Sequence, residues 1–194
     1  MMRNNLPNSS DGAKNGAGIL AFIVECFAIT VILFLRRRFG QRYVGIQAVA
    51  GILLILFFCG LCPRYDARPM MLFLIAYIKA FFYARSGVLY RGWRGNTEHS
   101  RYNGWPWLMC IFRSFRETTV KQFIEPPLVL VTGCLFCKLS EPLGAYLIIA
   151  AICLFASTSI SNAWNRHRLL ELNDAVIEQR QLAERFREIQ NGSL

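Results

Sequence analysis

The sequence predicts an all-α fold: a polytopic membrane protein of about five transmembrane helices, an interfacial amphipathic helix and a C-terminal cytoplasmic helix. Three observations predict it. The 194 residues are 54% hydrophobic and 18% charged, against about 45–50% and about 25% in soluble domains. The apolar residues fall in runs, several of which approach the roughly 20 helical residues that cross a hydrocarbon core of about 30 Å. The basic excess, 22 Lys and Arg against 12 Asp and Glu for a net +10, is concentrated in alternate connecting segments, as the positive-inside rule requires. These numbers exclude a disordered chain and do not fit an ordinary soluble globule.

Residues 1–16 read as a polar outer tail. The first span, 17–35, carries a single charge, Glu25, and exits into Arg36-Arg37-Arg38 with no small-residue cleavage site, so it reads as a retained helix and not a signal peptide. The second span, 44–62, is uncharged. The third, 69–84, carries Lys79. The fourth, 122–138, contains Pro126 and Pro127 and reads either as a span or as a re-entrant segment. The fifth, 142–164, ends at the interfacial Trp164. With the N-terminus outside and the C-terminus in the cytoplasm, sixteen Lys and Arg lie in inner segments and five in outer ones. That bias favours five spans in a bacterial cytoplasmic (inner) membrane over the re-entrant alternative, which would put the NRHR segment outside.

Residues 85–121 form the inner loop. From Trp105 onward, Trp107, Leu108, Ile111, Phe112 and Phe115 recur at three- and four-residue steps, which predicts an amphipathic helix in the inner leaflet facing anionic lipid. Trp93, Arg94, Trp105, Trp107, Phe112, Arg113 and Arg116 are its candidate lipid or partner contacts. Basic residues mixed with aromatics also suit nucleic acid, but beside a membrane the interfacial reading takes precedence, and no nucleic-acid partner is expected. The tail, 165–194, lacks Pro and has a single Gly near its end. It predicts a helix whose heptad seam is Leu169, Leu172, Val176, Gln179, Ala183 and Phe186, a partner helix or a route to a homo-oligomer. Packing on the protein's own inner face is the alternative.

Four of the seven cysteines form two CxxC pairs, Cys59/Cys62 and Cys134/Cys137, each followed by a short loop, a Pro and another apolar run, so that 44–84 and 122–164 read as two copies of one hairpin. These cysteines read as inert packing residues, as a structural disulfide or metal set, or as a redox centre. The segment CGLCPRY is similar to the CxLC-x-Tyr segment of the small four-span quinone-linked thiol oxidases over fewer than ten residues, and that resemblance implies thiol-disulfide exchange. The family's second cysteine pair lies in an outer loop, whereas the second pair here lies in a span. Both pairs also meet a helix C-terminus, where the dipole disfavours a thiolate.

Glu25 and Lys79 lie at depths differing by about 3 Å at 1.5 Å per residue, which predicts an intramembrane ion pair between spans one and three; the alternative for Lys79 is snorkelling to the inner surface. No phosphate loop, GxGxxG or HExxH occurs, Glu98-His99 reads as a solvated pair, and no cofactor or resident metal is expected. The sequence therefore points away from an enzyme. It reads as an integral membrane subunit or scaffold docking membrane or cytosolic subunits through the inner loop and tail, with an outer-face thiol-disulfide oxidoreductase and a small channel or transporter as alternatives. EHSRYNGWPWL and EQRQLAERFRE resemble small membrane proteins found with conjugation or secretion machinery.

Overall fold

The computed structural model describes residues 9–40, 45–62, 65–94, 103–190 and 192, so the outermost part of the N-terminal tail and residues 95–102, with Glu98 and His99, lie outside the described residues. The chain is predominantly helical. In order it forms α1 (Ser9–Leu35), β1 (Arg36–Arg37), α2 (Ile46–Leu61), α3 (Arg68–Trp93), β2 (Trp105–Pro106), a 3-10 turn (Trp107–Cys110), α4 (Glu117–Thr119), a π-helical turn (Val120–Ile124), α5 (Glu125–Cys137) and α6 (Glu141–Gln190). Four segments are long and apolar enough to cross a membrane, Gly18–Leu35, Arg68–Trp93, Glu117–Cys137 and Glu141–Arg187, while α2 is a shorter apolar helix. The chain divides into two compact units, Met1–Thr158 and Ser159–Leu194.

Within the first unit the core lies among α1, α2, α3, α5 and the first part of α6. Ile29, Ile32, Ile55, Met70, Tyr77, Val129, Tyr146 and Leu154 are buried there. Where lipid replaces water, apolar burial drives association weakly, and close packing with a few interhelical hydrogen bonds must substitute for it. Both devices are present. Tyr77 donates from its hydroxyl to the Ala48 carbonyl at 2.8 Å, and Tyr146 donates to Thr30 Oγ1 at 3.1 Å. The rings of Phe27, Phe58 and Phe73 surround Tyr146 at centroid distances of 5.6, 5.3 and 5.8 Å. Glycines admit the neighbouring helices: a Cβ on Gly51 would fall 2.8 Å from the Tyr77 hydroxyl, and one on Gly144 would fall 2.6 Å from the Cys137 Cα.

α3 lies back along α2, and Tyr77 meets Ala48. The 138–140 turn folds α6 back against α5, with Gly133 against Leu147 and Ile148. These are the two CxxC-turn-Pro hairpins, each opening its second helix with a Pro at the second position, Pro69 or Pro142, where a missing N–H costs nothing.

Four differences from the sequence reading have physical causes. First, α3 continues to Trp93, nine residues past 84. Buried Val88, and Arg91 donating to the Phe39 carbonyl at 3.1 Å, offset the helix-weakening Ser86 and Gly87. Second, the two prolines do not interrupt the fourth apolar segment, which is helical throughout, because Pro126 and Pro127 occupy the first turn of α5 and a π turn absorbs the mismatch ahead of them, with Glu125 N–H donating to Val120 O. Third, 105–121 is not an amphipathic helix. Pro106 is extended at φ −63°, ψ 133°, the 3-10 turn lasts four residues, and Arg116 is extended again at φ −70°, ψ 144°. The three- and four-residue spacing of its aromatics is satisfied by short turns, with Phe112 and Phe115 rings 6.1 Å apart. Fourth, the all-α expectation omits the two-residue antiparallel pair β1–β2.

In the second unit, α6 carries the chain through to Gln190 as helix. Leu169, Leu172, Val176, Gln179, Ala183 and Phe186 are all exposed.

Candidate functional site

The most highly constructed polar feature lies where α1 ends. Its last turn runs into Arg-Arg-Arg-Phe, and β1 pairs with β2 in the register Arg36↔Pro106 and Arg37↔Trp105. The pairing draws the 103–107 segment onto the end of α1. Arg38 adopts φ +57°, a left-handed conformation unfavourable for a residue with a Cβ, and the chain thereby turns Phe39 inward, where it is buried. Gly104 packs on Phe39 with φ +80°; a Cβ there would fall 2.8 Å from the Phe39 ring and 3.0 Å from the Arg37 carbonyl. No other residue type fits both constraints.

Arg36 is the centre of this arrangement. Its Nε and one Nη donate to Glu125 Oε2 at 2.8 and 2.5 Å, and its other Nη donates to the Asn103 carbonyl at 3.3 Å. Both side chains of the ion pair are fully enclosed, at 0% exposure. Glu125 is aimed at Arg36 by the π turn: one extra residue per turn puts Val120 and Glu125, five apart, on the same buried side. Nearby, Lys121 donates to Glu117 at 2.6 Å. Glu125 Oε1 and Asn103 Oδ1 are buried without a hydrogen-bond partner, so the pair is held at a desolvation cost.

Around this buried pair the surface is basic and aromatic. Arg37 sits over the Trp107 ring, 2.8 Å from guanidinium carbon to centroid, a cation–π contact. Trp93, Trp105, Trp107, Ile111, Phe112 and Phe115 are exposed, Trp93 at 96%, and Arg94, Arg113 and Arg116 are exposed among them. The residues named from sequence as lipid or partner contacts are thus all exposed, though on β2, turns and a helix end and not on one helix face.

Among the described residues no ion pair joins Glu25 and Lys79. Glu25 accepts a hydrogen bond from Gln47 of α2, and Lys79 is exposed on α3. The buried pair that does form was not singled out from the sequence, where Arg36 counted only toward topology. The available signal was Glu125 itself, an acid inside an apolar run beside two prolines.

The seven cysteines are free thiols, with Cys134 and Cys110 exposed, Cys26 buried and the others half-buried. Cys62 caps α2 and Cys137 closes α5, so both CxxC pairs sit at helix C-termini. Among the described residues no group of three or more His, Cys, Asp or Glu is arranged to hold a metal. Beside the first pair, Glu141 lies close to the Tyr65 hydroxyl and holds the phenol above its usual range. Tyr65 precedes α3 and Glu141 opens α6.

No family model, no curated protein and no solved structure matches the chain. The reading of its role therefore rests on its own residues.

Proposed function

We propose that the chain is a non-enzymatic, multi-pass subunit or scaffold of a membrane assembly in a bacterial cytoplasmic membrane. It crosses five times, with its N-terminus outside and its C-terminus in the cytoplasm. One observation carries the order of crossings. Arg36, at the exit of α1, pairs with Glu125, at the entry of α5, and a five-crossing chain brings those two points to the same face. The closeness of Tyr65 to Glu141 agrees with this order, which assigns both residues to the other face. If α2 lay on one side without crossing, the entry of α5 would fall on the face opposite to Arg36. The excess of Lys and Arg, sixteen against five, assigns the Arg36 face to the cytoplasm.

On that face the exposed aromatic and arginine side chains meet the anionic leaflet and partner subunits, with Trp at headgroup depth. The exposed heptad seam Leu169, Leu172, Val176, Ala183 and Phe186 is a second docking element, for a partner helix or another copy of the chain. Secretion or conjugation machinery is the kind of assembly that the sequence resemblance suggests. Purification of the full chain in mild detergent, followed by mass measurement of the intact complex, tests the subunit reading. The expected mass exceeds the 22.2 kDa of one chain by at least one further polypeptide, and a monodisperse single chain would contradict it.

A further inference from the structure

The α2–α3 hairpin leaves one feature that neither docking element uses. Folding α3 back along α2 brings Arg85 beside Gly45 and opens a groove of about 460 Å³, lined by Gly45, Ile46, Val49, Ala50, Leu53, Phe81 and Arg85. Its walls are aliphatic and aromatic along their length, and its cation, the exposed Arg85, stands at the end where α2 begins.

We infer that this groove is a binding site for a single anionic phospholipid, with one acyl chain along Ile46, Val49, Ala50, Leu53 and Phe81 and its phosphate on Arg85. The charge pattern selects this occupant. A peptide helix would present polar backbone ends to an apolar trough, and a zwitterionic lipid would bring its own cation toward the Arg85 guanidinium. An anionic diacyl lipid matches both parts, its tail to the trough and its phosphate to a planar guanidinium that binds phosphate oxygens in pairs. The trough is within the usual size of a small-ligand site. The inference rests on the membrane reading above.

The test uses the full chain in mild detergent with equal amounts of phosphatidylglycerol and phosphatidylcholine, read as lipid-bound mass species. The wild type is expected to retain phosphatidylglycerol about tenfold over phosphatidylcholine. Arg85→Gln is expected to bring that ratio close to one and Arg85→Lys to keep most of it. Ala50→Phe, which fills the trough, is expected to remove bound lipid of both kinds; its melting temperature is measured alongside to show that it is folded. A wild-type ratio near one, or an Arg85→Gln ratio equal to the wild type's, would overturn the site. Alkaline carbonate extraction of the same membranes separates the two failures. A wild-type chain that stays in the pellet without lipid preference loses only the lipid site, whereas a chain released by carbonate loses the membrane reading itself.

Discussion

Glu125→Ala is expected to destabilise the folded protein by about 3–5 kcal/mol, the cost of leaving one member of a buried ion pair uncompensated. Arg36 would keep only its bond to the Asn103 carbonyl, inside a site where its side chain has no access to solvent. Arg36→Met should cost a similar amount by stranding Glu125, one of whose oxygens already lacks a partner. The double variant Arg36→Met/Glu125→Leu replaces two charges with apolar side chains and is expected to lie within about 1 kcal/mol of the wild type or above it. The measurement is thermal unfolding in detergent, with tryptophan emission as a second readout because Trp105 and Trp107 lie on the segment that β1 holds. Equal destabilisation of the single and double variants would show that the pair is not the lock on this end of the molecule.

The second large effect is expected from a single methyl group. Gly144→Ala puts a Cβ 2.6 Å from the Cα of Cys137, a backbone atom that no rotamer change can move. The α5–α6 hairpin must therefore open. Overpacking of this kind costs typically 1–3 kcal/mol, and a backbone collision belongs at or above the upper end. Gly60 and Gly87 supply the control, since a Cβ on either meets nothing within 4 Å and both lie within helices. Changing them to Ala is expected to stabilise by about 0.5–1 kcal/mol through reduced backbone freedom in the unfolded state. Melting temperatures of the three variants, measured side by side, decide the point. Gly144→Ala melting with the other two would mean that the hairpin is looser than this packing.

These two sites also mark what the sequence could and could not disclose. Apolar runs and Pro positions are local quantities, so the helices of both CxxC hairpins were readable, as was the helical tail. The end of α3 was not, because the bond that sustains it past Ala84 runs from Arg91 to the Phe39 carbonyl, 52 positions away. The amphipathic-helix reading of 105–121 failed for a related reason. Its aromatics do repeat at helical spacing, but the backbone of Trp105 and Pro106 is taken by β1, and a tertiary pairing overrides a periodic pattern.

Depth counting, which pairs Glu25 with Lys79, considers one span at a time. Glu25 and Lys79 match in depth, yet α2 supplies Gln47 to that carboxylate. The true pair joins residues 89 positions apart, and it depends on a π turn that sets the direction of Glu125. Nothing in the composition of α5 signals that turn except the two prolines that follow it.

The proposed topology requires that α2, despite its 16 residues, crosses the membrane, which puts Arg36 and Glu125 on the cytoplasmic side. Reporter fusions in a bacterial host test this directly. Alkaline phosphatase, which is active only outside, joined after Tyr65 or Leu139 is expected to be active, and green fluorescent protein joined after Gln190 is expected to fluoresce. A silent phosphatase after Tyr65, or an active one after Gln190, would contradict the five-crossing order.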